Sequence, residues 1–178
     1  MVLQFGSLTL AAVLLLVAPS SIAGQNVPRE DEVTDLPGLK EKLNFRHFSG
    51  FIKATENHYL HYWLTESQSN PETDPFLVWF NGGPGCSALG GLISEQGPFH
   101  VRPDGKTVYL NQYAWNKAAN VLFLEAPAGV GYSFSTLEGD LRRTDDQTAD
   151  ENYLALKAFF RKFPHYRKLD LYITGESC

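Results

Sequence analysis

The stretch that most constrains the fold is Phe76-Leu77-Val78-Trp79-Phe80 running into Asn81-Gly82-Gly83-Pro84-Gly85-Cys86. A short apolar run of aromatic and branched residues reads as a buried strand. The glycines and proline that follow cannot continue it, so the chain leaves the sheet abruptly after Phe80. Glycines also let a ligand approach the main chain closely. Two N–H groups beside an Asn amide at a strand's carboxyl end suit an oxyanion or a carboxylate.

The same grammar recurs twice. Val121-Leu122-Phe123-Leu124 is a second buried-strand pattern, and Glu125-Ala126-Pro127-Ala128-Gly129-Val130-Gly131 is its glycine-rich exit. Leu169 to Thr174 is a third such pattern and leads into Gly175-Glu176-Ser177-Cys178. A strand followed by Gly-x-Ser is the leading half of a nucleophile elbow, in which a serine is exposed on a sharp turn. Between the second and third strands, Thr144 to about Phe163 reads as a helix. Thr144 and Gln147 fit a capping box, Asp145 and Asp146 open it, and Arg161 and Lys162 close it in keeping with the helix dipole. Pro164 stops it. Ala149, Tyr153, Leu156, Phe160 and Phe163 are spaced to form its buried stripe. Strand, helix, strand with sites at strand ends is the arrangement of an open α/β sheet.

The remaining elements are shorter. Residues 48–54 and 58–64 read as an antiparallel hairpin joined by Thr55-Glu56-Asn57. His58 and His61 are read as sheet residues without a chemical duty, since no partners stand at metal-ligand spacing. Ser87 to Ser94 reads as a short helix with Ser87 as N-cap and two glycines in its middle. Residues 99–102 and 106–110 flank a Pro103-Asp104-Gly105 turn.

Composition excludes several classes. A hydrophobic fraction of 43% with 13% aromatics supports one globular domain rather than a disordered chain. A formal charge of −5 leaves no basic footprint for nucleic acid. Leu8 to Ala18 is apolar but too short to span a bilayer. With Ser21-Ile22-Ala23 after it, residues 1–23 are expected to be a secretory signal peptide, and residues 24–178 the folded part, with no membrane association after cleavage.

The motifs Asn81 to Ser87, Glu95 to Phe99, Glu125 to Ser133 and Thr174 to Ser177, in this order and spacing, together resemble the serine carboxypeptidase family. The resemblance implies an α/β-hydrolase fold, here the N-terminal part of its mixed sheet up to the nucleophile strand. It implies removal of C-terminal residues from peptides and proteins, without cofactor or metal, in the secretory pathway, either lysosomal or extracellular. Ser177 matches the nucleophile. The N–H groups of Gly83 and of the residue after the serine, here Cys178, match the oxyanion donors. Asn81, the Gly82 N–H and Glu176 match the group that holds the substrate's terminal carboxylate. Cys86 matches a disulfide cysteine whose family partner lies further downstream than this chain runs. Two carboxyl groups in contact share a proton, so the resemblance also implies cleavage favoured by acid.

The family's aspartate and histidine follow the serine in chain order, whereas all five histidines here (His47, His58, His61, His100 and His165) precede Ser177. The family has tyrosine where Cys178 stands. The chain is therefore read as an N-terminal part, from a truncated transcript or an incomplete gene model, that is inactive by itself. The alternatives are a non-catalytic product that only binds, and an acyltransferase working on the same site.

Overall fold

A computed structural model describes residues 28–177; the expected signal segment and Cys178 lie outside the described residues. The elements are β1 (His47–Lys53), β2 (His58–Thr65), β3 (Phe76–Phe80), α1 (Leu89–Ser94), β4 (Phe99–Val101), β5 (Val108–Leu110), β6 (Asn120–Leu124), β7 (Phe134–Ser135), α2 (Asp145–Lys162) and β8 (Leu171–Gly175). The main sheet runs β1-β2-β6-β3-β8, with β7 added to β2. β1, β2 and β6 are antiparallel, while β6, β3 and β8 are parallel. β4 and β5 form a separate hairpin.

Alternation along the strands divides the core into two layers. Phe76, Val78, Leu122 and Leu124 face α2, where they meet Ala155, Phe159 and Phe163. Trp79, Val121 and Phe123 face the other way, against Leu92 of α1 and Phe99 of β4. Each fully buried phenylalanine contributes about 1.5–3 kcal/mol through area removed from water. The capping box of α2 forms as expected: Gln147 N–H donates to Thr144 Oγ1 at 3.3 Å, and Thr144 N–H donates to Gln147 Oε1 at 3.0 Å.

Three expectations need correction. The buried stripe of α2 is Glu151, Ala155, Phe159 and then Phe163 at the C-cap, with Leu156 and Phe160 at its margin. Ala149 is exposed, and Tyr153 is 62% exposed. Counting apolar residues turned the helix to the wrong side because the centre of the true stripe is a glutamate. The N-cap of α1 is Ala88, one residue later than expected. Ser87 Oγ still accepts the Leu89 N–H at 3.2 Å, but its own hydroxyl hydrogen goes to Glu125. The strand before Ser177 is an edge strand rather than a buried one: Leu171, Tyr172 and Ile173 are 47%, 53% and 60% exposed. Beside it lies an open apolar groove of about 500 Å³ with Leu77, Trp115 and Tyr172 in its lining.

Candidate active site

Parallel pairing of β3 with β8 sets the site. The register places Phe80 opposite Gly175, and the Glu176 N–H still donates to Phe80 O at 3.3 Å. The two chains therefore leave the sheet side by side, one into Asn81-Gly82-Gly83 and the other into Glu176-Ser177. Ser177 has φ 58° and is the one non-glycine residue with positive φ among those described. A serine in the left-handed region costs free energy relative to glycine, and such strain concentrates at functional turns. Ser177 is exposed to solvent.

The glycine loop is held at its front by Asn81. Trp79 Nε1–H donates to Asn81 Oδ1 at 2.8 Å, and Asn81 Nδ2 points to Glu95 Oε1 at 3.5 Å. These partners fix the amide's orientation; neither is assigned a role by the sequence, although Trp79 lies in the strand run before the loop and Glu95 opens one of the motifs. α1 can pack on this indole because Gly91 has no Cβ: one there would stand 2.6 Å from Trp79 Nε1. Gly83 adopts φ 120°, and the Gly83–Pro84 and Ala126–Pro127 bonds are cis. Cys86 N–H closes the loop on Gly82 O at 2.9 Å. Among the described residues, the N–H groups of Gly82 and Gly83 have no hydrogen-bond acceptor, so both are free to meet an anion. Cys86 is an exposed free cysteine.

Behind the loop lies a network that sequence reading missed. Glu125, at the end of β6, is fully buried. Its carboxylate accepts from His61 Nδ1–H at 2.9 Å, from the Tyr132 N–H at 2.9 Å and from the Ser87 hydroxyl. Burial pushes its pKa up, but hydrogen bonds from His61, Ser87 and Tyr132 outweigh that and leave it below the ordinary value. Gly131 has φ 55°, and a Cβ there would fall inside this carboxylate. His61 Nε2 lies 2.9 Å from Ser49 Oγ.

His58 is likewise more than a sheet residue. Its Nδ1–H donates to Glu151 Oε1 at 2.5 Å, while Nε2 lies 2.5 Å from Arg143 Nη2 and 3.1 Å from Asp140 Oδ2. The other histidines are engaged elsewhere or withdrawn. Trp63 Nε1–H donates to His47 Nδ1 at 3.2 Å, and His100 Nε2 donates to Glu95 O at 3.0 Å. His165 Nδ1 and Nε2 are buried without partners. None of the five is hydrogen-bonded to Ser177 among the described residues. No group of three or more potential metal ligands occurs among them either, and none of their helices is long and apolar enough to cross a membrane.

A mixed sheet whose parallel strands end side by side in a glycine loop and a Gly-x-Ser turn has the arrangement of the α/β-hydrolase fold. Residues 37–178 match the family model described as serine carboxypeptidase, and the chain belongs to that family. It is 57% identical over 150 residues to serine carboxypeptidase ctsa-4.1 of Caenorhabditis elegans, covering 84% of this chain and 32% of that protein. It is 48% identical over 167 residues to the lysosomal protective protein of Mus musculus, covering 92% of this chain and 35% of that protein. Among solved structures, it is similar to Kex1(delta)p, a prohormone-processing carboxypeptidase from Saccharomyces cerevisiae. That likeness has a TM-score of 0.70 at 27% identity and covers 84% of this chain and 36% of the other. The chain thus spans about a third of the length of the curated relatives it matches, and its fold is a partial α/β-hydrolase.

Proposed function

We propose that residues 24–178 supply the nucleophile and the carboxylate-binding part of a serine carboxypeptidase site. In this reading Ser177 is the nucleophile. Gly83 N–H and the N–H of Cys178 are the oxyanion donors. Asn81, Gly82 N–H and Glu176 receive the terminal carboxylate of a peptide, with Trp79 and Glu95 holding the Asn81 amide. The whole protein then releases C-terminal residues from peptides and proteins, after delivery through the secretory pathway to the lysosome or the exterior. The observation that carries this reading is Ser177 at φ 58° two residues beyond the Phe80–Gly175 register, beside a loop whose glycine N–H groups are unengaged.

The chemistry follows from the donors. Attack by Ser177 Oγ turns the scissile carbonyl into an oxyanion, and each well-aimed donor to it stabilises the transition state by about 3–4 kcal/mol. Attack also needs a base for the hydroxyl proton. With His58 and His61 committed to Glu151 and Glu125, the 178-residue chain is expected to bind peptide C-termini without turning them over. A peptide carboxylate meeting Glu176 takes up a proton, because two close carboxylates do not both stay ionised cheaply, and this favours binding at acid pH.

The test is calorimetric titration of the chain with an N-blocked dipeptide, once as the free acid and once as the C-terminal amide. The acid should bind, more tightly at pH 5 than at pH 7.5, and the amide should not. Asn81→Ala should abolish the difference. Equal binding of acid and amide would exclude a carboxylate subsite here.

A further inference from the structure

We infer that Ser87 and Glu125 are positioning residues, forming an anchor that holds the glycine loop in its binding shape from behind; the inference rests on the reading of Asn81 to Gly83 as a binding loop. The loop has little to fix it internally. Its backbone closes through one hydrogen bond, Cys86 N–H to Gly82 O at 2.9 Å, and its glycines have wide conformational freedom. At the front it is tied by Asn81 to Trp79. At the back it is tied by Ser87, the residue after Cys86, whose hydroxyl donates to Glu125.

Glu125 is suited to be the fixed end of that tie. It is fully buried, and its two oxygens take donors from three parts of the chain: His61 on β2, Ser87 after the loop, and the Tyr132 N–H in the exit from β6. Its backbone is held as well, since Ser133 Oγ–H donates to Glu125 O at 2.6 Å and Glu125 N–H donates to His61 O at 3.0 Å. Gly131, where a Cβ would collide with the carboxylate, leaves the space the carboxylate occupies. A buried ionised acceptor makes a strong hydrogen bond, so Ser87 is attached to a carboxylate that hydrogen bonds from three parts of the chain hold in place. Neither residue touches the peptide; both act through the loop.

The test uses the 178-residue chain at low micromolar concentration and compares wild type, Ser87→Ala and Ser87→Thr. Amide exchange is read at Cys86, which reports loop closure, and at Val121 to Leu124, which report the sheet. Losing a hydrogen bond to a charged acceptor should speed Cys86 exchange in Ser87→Ala about tenfold or more, with the β6 amides unchanged. Ser87→Thr, which keeps the hydroxyl, should restore the wild-type rate. Ser87→Ala should also weaken the free-acid dipeptide about tenfold, and Ser87→Thr should recover it. Unchanged Cys86 exchange in Ser87→Ala would overturn the anchor, as would a loosened loop that binds the dipeptide with wild-type affinity. Failure of wild type to bind the acid, with the exchange pattern as expected, would leave the anchor standing and overturn the site reading instead.

Discussion

Replacing Glu151 by alanine should destabilise the fold far more than an ordinary helix-surface change. The Glu151 and His58 side chains are only 3% and 2% exposed and meet at 2.5 Å. Truncation leaves His58 Nδ1–H buried without an acceptor, which costs about 1–3 kcal/mol. It also removes the packing of one methylene, about 0.8 kcal/mol. One term runs the other way: Glu151 Oε2 is buried with no partner, and removing it relieves that desolvation. The balance is a loss of about 2–3 kcal/mol, against surface substitutions that usually stay within about 0.5 kcal/mol. Glu151→Gln keeps an acceptor for Nδ1–H and should lose about 1 kcal/mol or less. Urea unfolding followed by tryptophan fluorescence measures all three proteins. An alanine variant within about 0.5 kcal/mol of wild type would show that the pair does not hold α2 to the sheet.

Two further outcomes follow from the same structure. Burial lowers the His47 pKa to about 4 from an ordinary 6.5, so the unfolded chain binds this proton before the folded one does. Stability should therefore fall as pH drops from 6.5 towards 4, and His47→Gln should flatten that part of a plot of urea midpoint against pH; an unchanged slope would acquit His47. The open edge at β8, with Ile173 60% exposed, should make the isolated chain self-associate with rising concentration. Sedimentation velocity should show less association for Ile173→Lys, and a wild type that stays monomeric throughout would contradict this.

The parts legible in the sequence are those written in local grammar. Phe76 to Phe80 alternates between two covered faces and is cut off by glycines, so both the strand and its exit could be read without knowing the partners. The capping box at Thr144 and Gln147 and the stop at Pro164 are local in the same way. What could not be read depends on pairing between distant residues. Glu151 faces the core because His58, 93 residues earlier, receives it there, and a periodicity count treats a glutamate as an outward residue. His61 and Glu125 stand 64 residues apart, so their bond and the Ser87 tie to it have no local signature. β7 is two residues long and exists only by pairing with His58 and Tyr59. The β8 pattern is apolar enough for a buried strand, yet nothing among the described residues covers it.

The central claim is that Ser177 is a carboxypeptidase nucleophile that lacks a base within these 178 residues. It is tested most directly by organofluorophosphonate labelling of two proteins: the chain as it stands, and the same chain continued after Ser177 with the corresponding C-terminal portion of the mouse lysosomal protective protein. The labelled peptide is identified by mass spectrometry. The account predicts no label on the 178-residue chain, labelling of Ser177 in the extended protein together with hydrolysis of an N-blocked dipeptide at acid pH, and loss of both in extended Ser177→Ala. Label on Ser177 in the 178-residue chain, or hydrolysis that survives Ser177→Ala in the extended one, would contradict it.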